Sequence, residues 1–235
     1  LLTALVVAQL ASGRPQILAV TRDPAAEAVI ALAAQVADPG PGQPTTLMAL
    51  WGHKFWALSY AQAYRGALRG LHLVDHNADL ARIVRQEGGL LTLSETLYHL
   101  PPAWWDDLLG RACLGSPAPG IVTIRAEPLR AAEGGAGPAL DLGNGVRILS
   151  AVLRPGQGDD RIVDVVWQAE RDVDADYAVA VHLLARDPPS GQGDVLAQAD
   201  RRHPVDGWYP TSRWEAGEVV PDAYRLTVPA GAPPA

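Results

Sequence analysis

Lysine and cysteine are almost missing from this chain. Lys54 is the single lysine among 19 basic residues, and Cys113 is the single cysteine in 235 residues. One cysteine excludes an intrachain disulfide and a thiolate metal cluster. No Cys–His motif surrounds it, so Cys113 beside Leu114 reads as a small buried apolar group rather than a nucleophile. Clustered basic charge is also lacking. A net charge of −7 and a pI near 5.3 argue against nucleic acid or an anionic lipid surface as partner, because binding phosphates needs grouped Lys and Arg. No glycine-rich dinucleotide or P-loop motif follows a strand-like segment. Neither a Gly-x-Ser-x-Gly elbow nor a His-Glu-x-x-His helix occurs. The sequence therefore implies no catalytic residue, no cofactor and no metal.

A bilayer-spanning stretch of about 20 apolar residues is absent too. The nearest approach is Leu1 to Ala11, apolar except Thr3 and Gln9, and ended by Ser12-Gly13-Arg14-Pro15. It is short for a span and lacks the basic flank of a signal peptide. It reads either as the tail of a transmembrane helix or as an ordinary buried helix.

What is present suits a packed core: 48% of residues are hydrophobic and 19% charged. Arginine-for-lysine usage, with much Ala, Gly and Pro, reflects coding bias rather than function. From Asp23-Pro24, a helix cap and first turn, strand-like and helical segments alternate. Strands are expected at Thr46 to Trp51, Leu71 to Val74, Leu90 to Leu93 and Gly120 to Ile124. Helices are expected at Phe55 to Leu68, after Asn77 or Asp79 as far as Gly88-Gly89, and from Pro101-Pro102 to Leu109. Such alternation predicts a small α/β domain with a mostly parallel sheet over residues 15–130. Residues 131–145 are rich in Ala and Gly and read as a linker and turn. From Val146 the pattern switches to period two, and about five strands predict an all-β sandwich over 146–235.

Three clusters carry chemistry. Trp51-Gly52-His53-Lys54 and Asp75-His76-Asn77 each follow an expected parallel strand, where open α/β sheets bind ligands. Asp75, His76 and His53 suit an acid/base pair or part of a metal site. The same residues also serve as helix caps and turn formers, and that role takes precedence. Trp104-Trp105-Asp106-Asp107 pairs two carboxylates, but helix neighbours diverge by about 100°, so they cannot face each other across a glycosidic bond. The Trp pair is expected to pack a helix on the sheet, with both Asp residues favouring the helix dipole from its first turn. In the β-rich half, Asp200, Trp208, Tyr209 and Trp214 suit sugar stacking if exposed and a sandwich core if not, the second being favoured.

Asp176-Tyr177-Ala178-Val179, Val181-His182-Leu183-Leu184, Ala197 to Asp200, Gly207-Trp208-Tyr209-Pro210-Thr211-Ser212, Trp214, Gly217-Glu218-Val219-Val220 and Asp222 follow one another in an order with a known counterpart. That order resembles the C-terminal β-sandwich of bacterial, Chloroflexi-type polytopic membrane proteins of glycosyltransferase family 39, the protein-mannosyltransferase-like group. Trp51-Gly52, Phe55 to Ala61 and Leu73 to Asn77 are similar to the soluble segment before that sandwich. The resemblance implies an extracytoplasmic region of a membrane glycosyltransferase-like protein, in contact with a glycan or a lipid-linked sugar acceptor and held at the membrane by its parent. It implies no catalytic residue here, because the family's catalytic Asp lies in an early loop between transmembrane helices. It favours the transmembrane reading of Leu1 to Ala11, and a sandwich cut short after Pro229. Two rivals stand beside it. One is a carbohydrate-binding module using Trp208, Tyr209 and Trp214. The other is a small α/β enzyme using Asp75 and His76.

Overall fold

The computed structural model describes residues 24–40, 42–130 and 140–229. Leu1 to Ala11 and the Asp23 cap lie outside them. Helix α1 (Ala25–Ala34) starts the described chain, followed by β1 (Thr46–Met48), α2 (His53–Tyr64), β2 (His72–Val74), α3 (Leu80–Glu87) and β3 (Leu90–Leu93). A 3₁₀ turn (Ser94–Tyr98), α4 (Pro102–Leu109), β4 (Cys113–Ala118) and β5 (Ile121–Arg125) complete the first half. Local chemistry sets several of these boundaries. The Asp79 carboxylate accepts from the Arg82 amide at 3.1 Å and caps α3. Gly88, at φ 71°, ends α3 in the left-handed conformation. Pro102 opens α4, where a missing N–H costs nothing.

These strands form one sheet in the order β2-β1-β3-β5-β4. β1 runs parallel to β2 and to β3, whereas β3–β5 and β5–β4 are antiparallel. The sheet is thus mixed rather than mostly parallel. The reason is the short Pro119-Gly120 connection between β4 and β5, which leaves no room for the crossover that parallel pairing needs. Side chains alternate across the sheet. Leu47, Leu91 and Ile121 pack with α1 and α2 on one face. Met48, Leu90 and Val122 pack on the other with α3 and with Trp105 of α4.

The second half holds β6 (Leu140–Asp141), β7 (Val146–Pro155), β8 (Asp160–Ala169), β9 (Val179–Leu184), β10 (Val195–Arg201) and β11 (Val219–Thr227). They form a four-stranded antiparallel sheet, β11-β8-β7-β6, and a two-stranded antiparallel ribbon, β10-β9. β6 pairs Leu140 with Ile148, inside the segment the composition marks as linker. β11 starts five residues before the strand expected at Tyr224, because Pro221 masks it; proline is tolerated there on an edge strand.

The two halves share buried side chains. The cluster on the α3–α4 face of the first sheet continues into Trp167, Tyr209, Trp214 and Tyr224 of the β-rich half. β11 lies across β4, and a Cβ at Gly115 would sit 3.3 Å from the Pro221 ring. Among the described residues, no helix is long and apolar enough to cross a bilayer.

Candidate functional site

The polar groups between the halves are richest around Glu218, which is buried. Its Oε1 accepts from the Tyr209 hydroxyl at 2.7 Å, and its Oε2 from Arg111 at 3.1 Å and from the Glu215 amide at 3.0 Å. Arg111 also donates to the Arg213 carbonyl at 2.7 Å and pairs with Glu215. Arg213 donates to Asp106 at 2.6 Å, and Asp106 accepts from the Ala112 amide at 2.8 Å. Asp106 therefore binds the seam from the second turn of α4; it does not complement the helix dipole from the first turn. Burial pushes the Glu218 carboxyl above its usual range, against the pull of Tyr209 and Arg111. Burial also raises the Cys113 thiol, with Glu218 adding to it, so Cys113 stays a protonated core group. This cluster spends its hydrogen bonds on itself and works as a fastener.

Tyr209 and Trp214 belong to the same interior. Tyr209 is 0% and Trp214 2% exposed, their ring centroids 6.2 Å apart. Neither offers a face for a sugar, which overturns the stacking role considered for them. Asp200 lies exposed on the ribbon and meets His182 at 3.0 Å. Trp208 is half-buried and donates from Nε1 to Ser94 Oγ at 3.1 Å. Trp105 is fully buried, its indole N–H on the Leu100 carbonyl at 3.1 Å, as expected of a helix-packing Trp.

The accessible chemistry sits at the C-terminal ends of the parallel strands. The chain leaves β1 towards β2 on one side, then crosses to β3 on the other, so a crevice opens between the ends of β1 and β3. Such a reversal is where open α/β sheets bind ligands. A groove of about 520 Å³ lies there. Trp51 lines it from the β1–α2 turn, His53 and Lys54 from the first turn of α2, and Glu95, Tyr98 and His99 from the segment after β3. Lys54 and Glu95 form an ion pair between the two segments. Tyr98 is mostly exposed and is held edge-on by Trp208, with ring centroids 4.8 Å apart. Gly52 makes the turn at φ 149° and ψ −162°, a conformation essentially restricted to glycine. A second cavity of about 700 Å³, along α1 towards the β7–β8 turn, shares Lys54, Glu95 and Tyr98 with the groove.

Of the strand-end residues picked out from the sequence, the structure brings Trp51 and His53 into this groove. His76 stands beside it, its Nδ1 3.5 Å from the Trp51 amide. Asp75 does not join an acid/base pair: its carboxylate accepts from the Asn77 amide at 2.8 Å and closes a turn. Among the described residues no three His, Cys, Asp or Glu side chains are grouped to hold a metal ion. Glu95, Tyr98 and His99 escaped the sequence reading. A 3₁₀ turn leaves no periodic pattern, and the only available signal was their position just after β3. The groove offers exposed aromatic rings beside a charged pair and two imidazoles, a combination suited to stacking and hydrogen-bonding a polyhydroxylated ligand. No family model matches the chain, and comparisons with curated proteins and with solved structures give no significant match.

Proposed function

We propose that this chain is a non-catalytic, extracytoplasmic region of a bacterial membrane glycosyltransferase-like protein, and that its strand-end groove engages a glycan or a lipid-linked sugar acceptor. In this reading the two antiparallel sheets of the second half are the faces of a β-sandwich. The sandwich buttresses the α/β part through the Glu218 seam and Trp208. The parentage rests on the sequence resemblance. The glycan role is supported by one observation above all: an open groove at the sheet's switch point, flanked by the exposed rings of Trp51 and Tyr98. Glu218 and Tyr209 at the seam, by contrast, are buried and bonded to each other, which suits a scaffold rather than a reaction centre.

The test is calorimetric titration of the full chain with a panel of oligosaccharides. Binding that drops at least about tenfold in both Trp51→Ala and Tyr98→Ala supports the groove, since stacking contributes on the order of 1–3 kcal/mol in comparable ring-face contacts. Sugar binding indifferent to both changes sinks it. An upstream reading frame without transmembrane segments would sink the parentage.

A further inference from the structure

One turn of the β-rich half has a backbone that side chains rarely adopt. Val205, Asp206 and Gly207 have φ of 56°, 55° and 88°. Glycine takes such angles freely, whereas a β-branched residue there is an outlier. Outliers of this kind persist only where the surroundings hold them, and they gather at functional places. Val205 is fully buried. The Trp208 amide donates to the Val205 carbonyl at 3.0 Å and the Tyr209 amide to the Pro204 carbonyl at 3.1 Å, which closes the reversal. Two adjacent rings leave it for different duties. Tyr209 enters the interior and donates to Glu218, while Trp208 reaches the groove and meets Tyr98.

A circuit of hydrogen bonds fastens this turn to the first half. Asp206 Oδ2 accepts from the Gly120 amide at 3.1 Å. The Gly120 carbonyl accepts from the Ser94 amide at 2.8 Å. Ser94 Oγ accepts from the Trp208 indole N–H at 3.1 Å, and the Trp208 amide returns to Val205. Arg201, at the end of β10, stands 3.8 Å from the other Asp206 oxygen. Ser94 opens the five-residue 3₁₀ segment that carries Glu95 and Tyr98, with His99 next. So short a 3₁₀ segment has poor hydrogen-bond geometry of its own and takes its place from what it is tied to. We propose that the turn over Val205, Asp206 and Gly207 is a clamp by which the β-rich half sets the groove's second wall, with Asp206 and Trp208 as positioning residues for the bound ligand. The identity of that ligand as a glycan rests on the reading above; the clamp itself is a property of the free chain.

The experiment is amide hydrogen exchange of the full chain, read by mass spectrometry over Ser94 to Leu100, with oligosaccharide titration beside it. Asp206→Ala and Trp208→Phe each remove one link of the circuit, the second while keeping an aromatic ring against Tyr98. Each is expected to speed exchange over Ser94 to Leu100 about fivefold, the size of one lost hydrogen bond. Asp206→Asn keeps an acceptor oxygen and tolerates positive φ, so its exchange should stay at the wild-type rate. Exchange in β8 should be unchanged in all three, which sets a local release apart from a general loss of stability. The dissociation constant of a glycan in the groove should rise about fivefold in Asp206→Ala and Trp208→Phe, and less than about twofold in Asp206→Asn. Wild-type exchange over Ser94 to Leu100 in both link-breaking variants overturns the clamp, and so does exchange that rises equally in β8. Glycan affinity that falls in Tyr98→Ala but not in the link-breaking variants also overturns it, and leaves the glycan reading standing. A wild-type chain that binds no oligosaccharide ends the glycan reading, while exchange still decides the clamp.

Discussion

The seam and the groove place similar side chains in opposite circumstances. At the seam, Glu218, Tyr209, Arg111 and Arg213 are drawn together and satisfied by one another. At the groove, Trp51, His53, Tyr98 and His99 line an open cavity that the Lys54–Glu95 ion pair spans. Chemical richness alone therefore does not mark a site. The buried Glu218 carboxylate is spent on its own neighbours, and the accessible groups sit where strand direction and chain reversal leave a crevice.

That contrast breaks most visibly at Glu218. Glu218→Ala is expected to destabilise the chain by about 3 kcal/mol, because Tyr209 and Arg111 lose their buried acceptor. Glu218→Gln should cost less, since its amide oxygen still accepts from Tyr209. Denaturant unfolding followed by fluorescence measures both. The shared core predicts one transition in the wild-type chain; a cost below about 1 kcal/mol for Glu218→Ala would remove the seam's structural role.

An effect of similar size, but dependent on pH, comes from Asp222. It is buried, accepts from the Tyr224 hydroxyl, and leaves its Oδ1 without a partner. Burial pushes its carboxyl up to about 7 from the ordinary 3.8. In the unfolded chain the group ionises near 3.8, so folding takes up a proton between about 4 and 7. Stability therefore falls as pH rises through that window and levels off above it. Asp222→Asn should remove this contribution to the slope, so that its stability relative to wild type rises by about 4 kcal/mol between pH 4 and pH 8. Thermal melts across that range decide it, and an unaltered slope would show that another group is responsible.

A smaller effect separates cap from site. Asp79→Ala should cost about 1 kcal/mol by removing the α3 cap. Asp75→Asn should leave both stability and sugar binding within about 0.5 kcal/mol of wild type, since Asn closes the same turn. A large binding loss in Asp75→Asn would return Asp75 to the site. Smallest in stability is Trp51→Ala, expected within about 0.5 kcal/mol of wild type because the ring is exposed, while glycan affinity falls. Equal losses in both measurements would make Trp51 a packing residue.

Much of the first half was legible from local signals. Asp79, Gly88 and Pro102 act within one helical turn, so their neighbours in sequence suffice to place the ends of α3 and the start of α4. Leu90–Leu93 and Thr46 to Trp51 read as strands from short apolar runs bounded by breakers, and the structure keeps the first whole and ends the second at Met48. β4 was hidden: Gly115, Ser116 and Pro117 are poor strand formers, and the strand exists because β5 pairs with it and β11 covers it. Trp51 and His53 could be placed at a strand end, but not Glu95, Tyr98 and His99 in the same groove.

The sequence by itself determined what acts over a few residues: helix caps, breakers, the alternating strands of the second half, and the lack of thiolate clusters and phosphate-binding loops. Tertiary structure alone decided which aromatics are interior and which meet water. Tyr209 and Trp214 vanish beneath the seam while Trp56, Tyr60 and Tyr64 stay outside, although all are the same residue types. The reason is physical. Burial depends on what another, distant segment covers, and no local pattern of side chains records where that segment will lie.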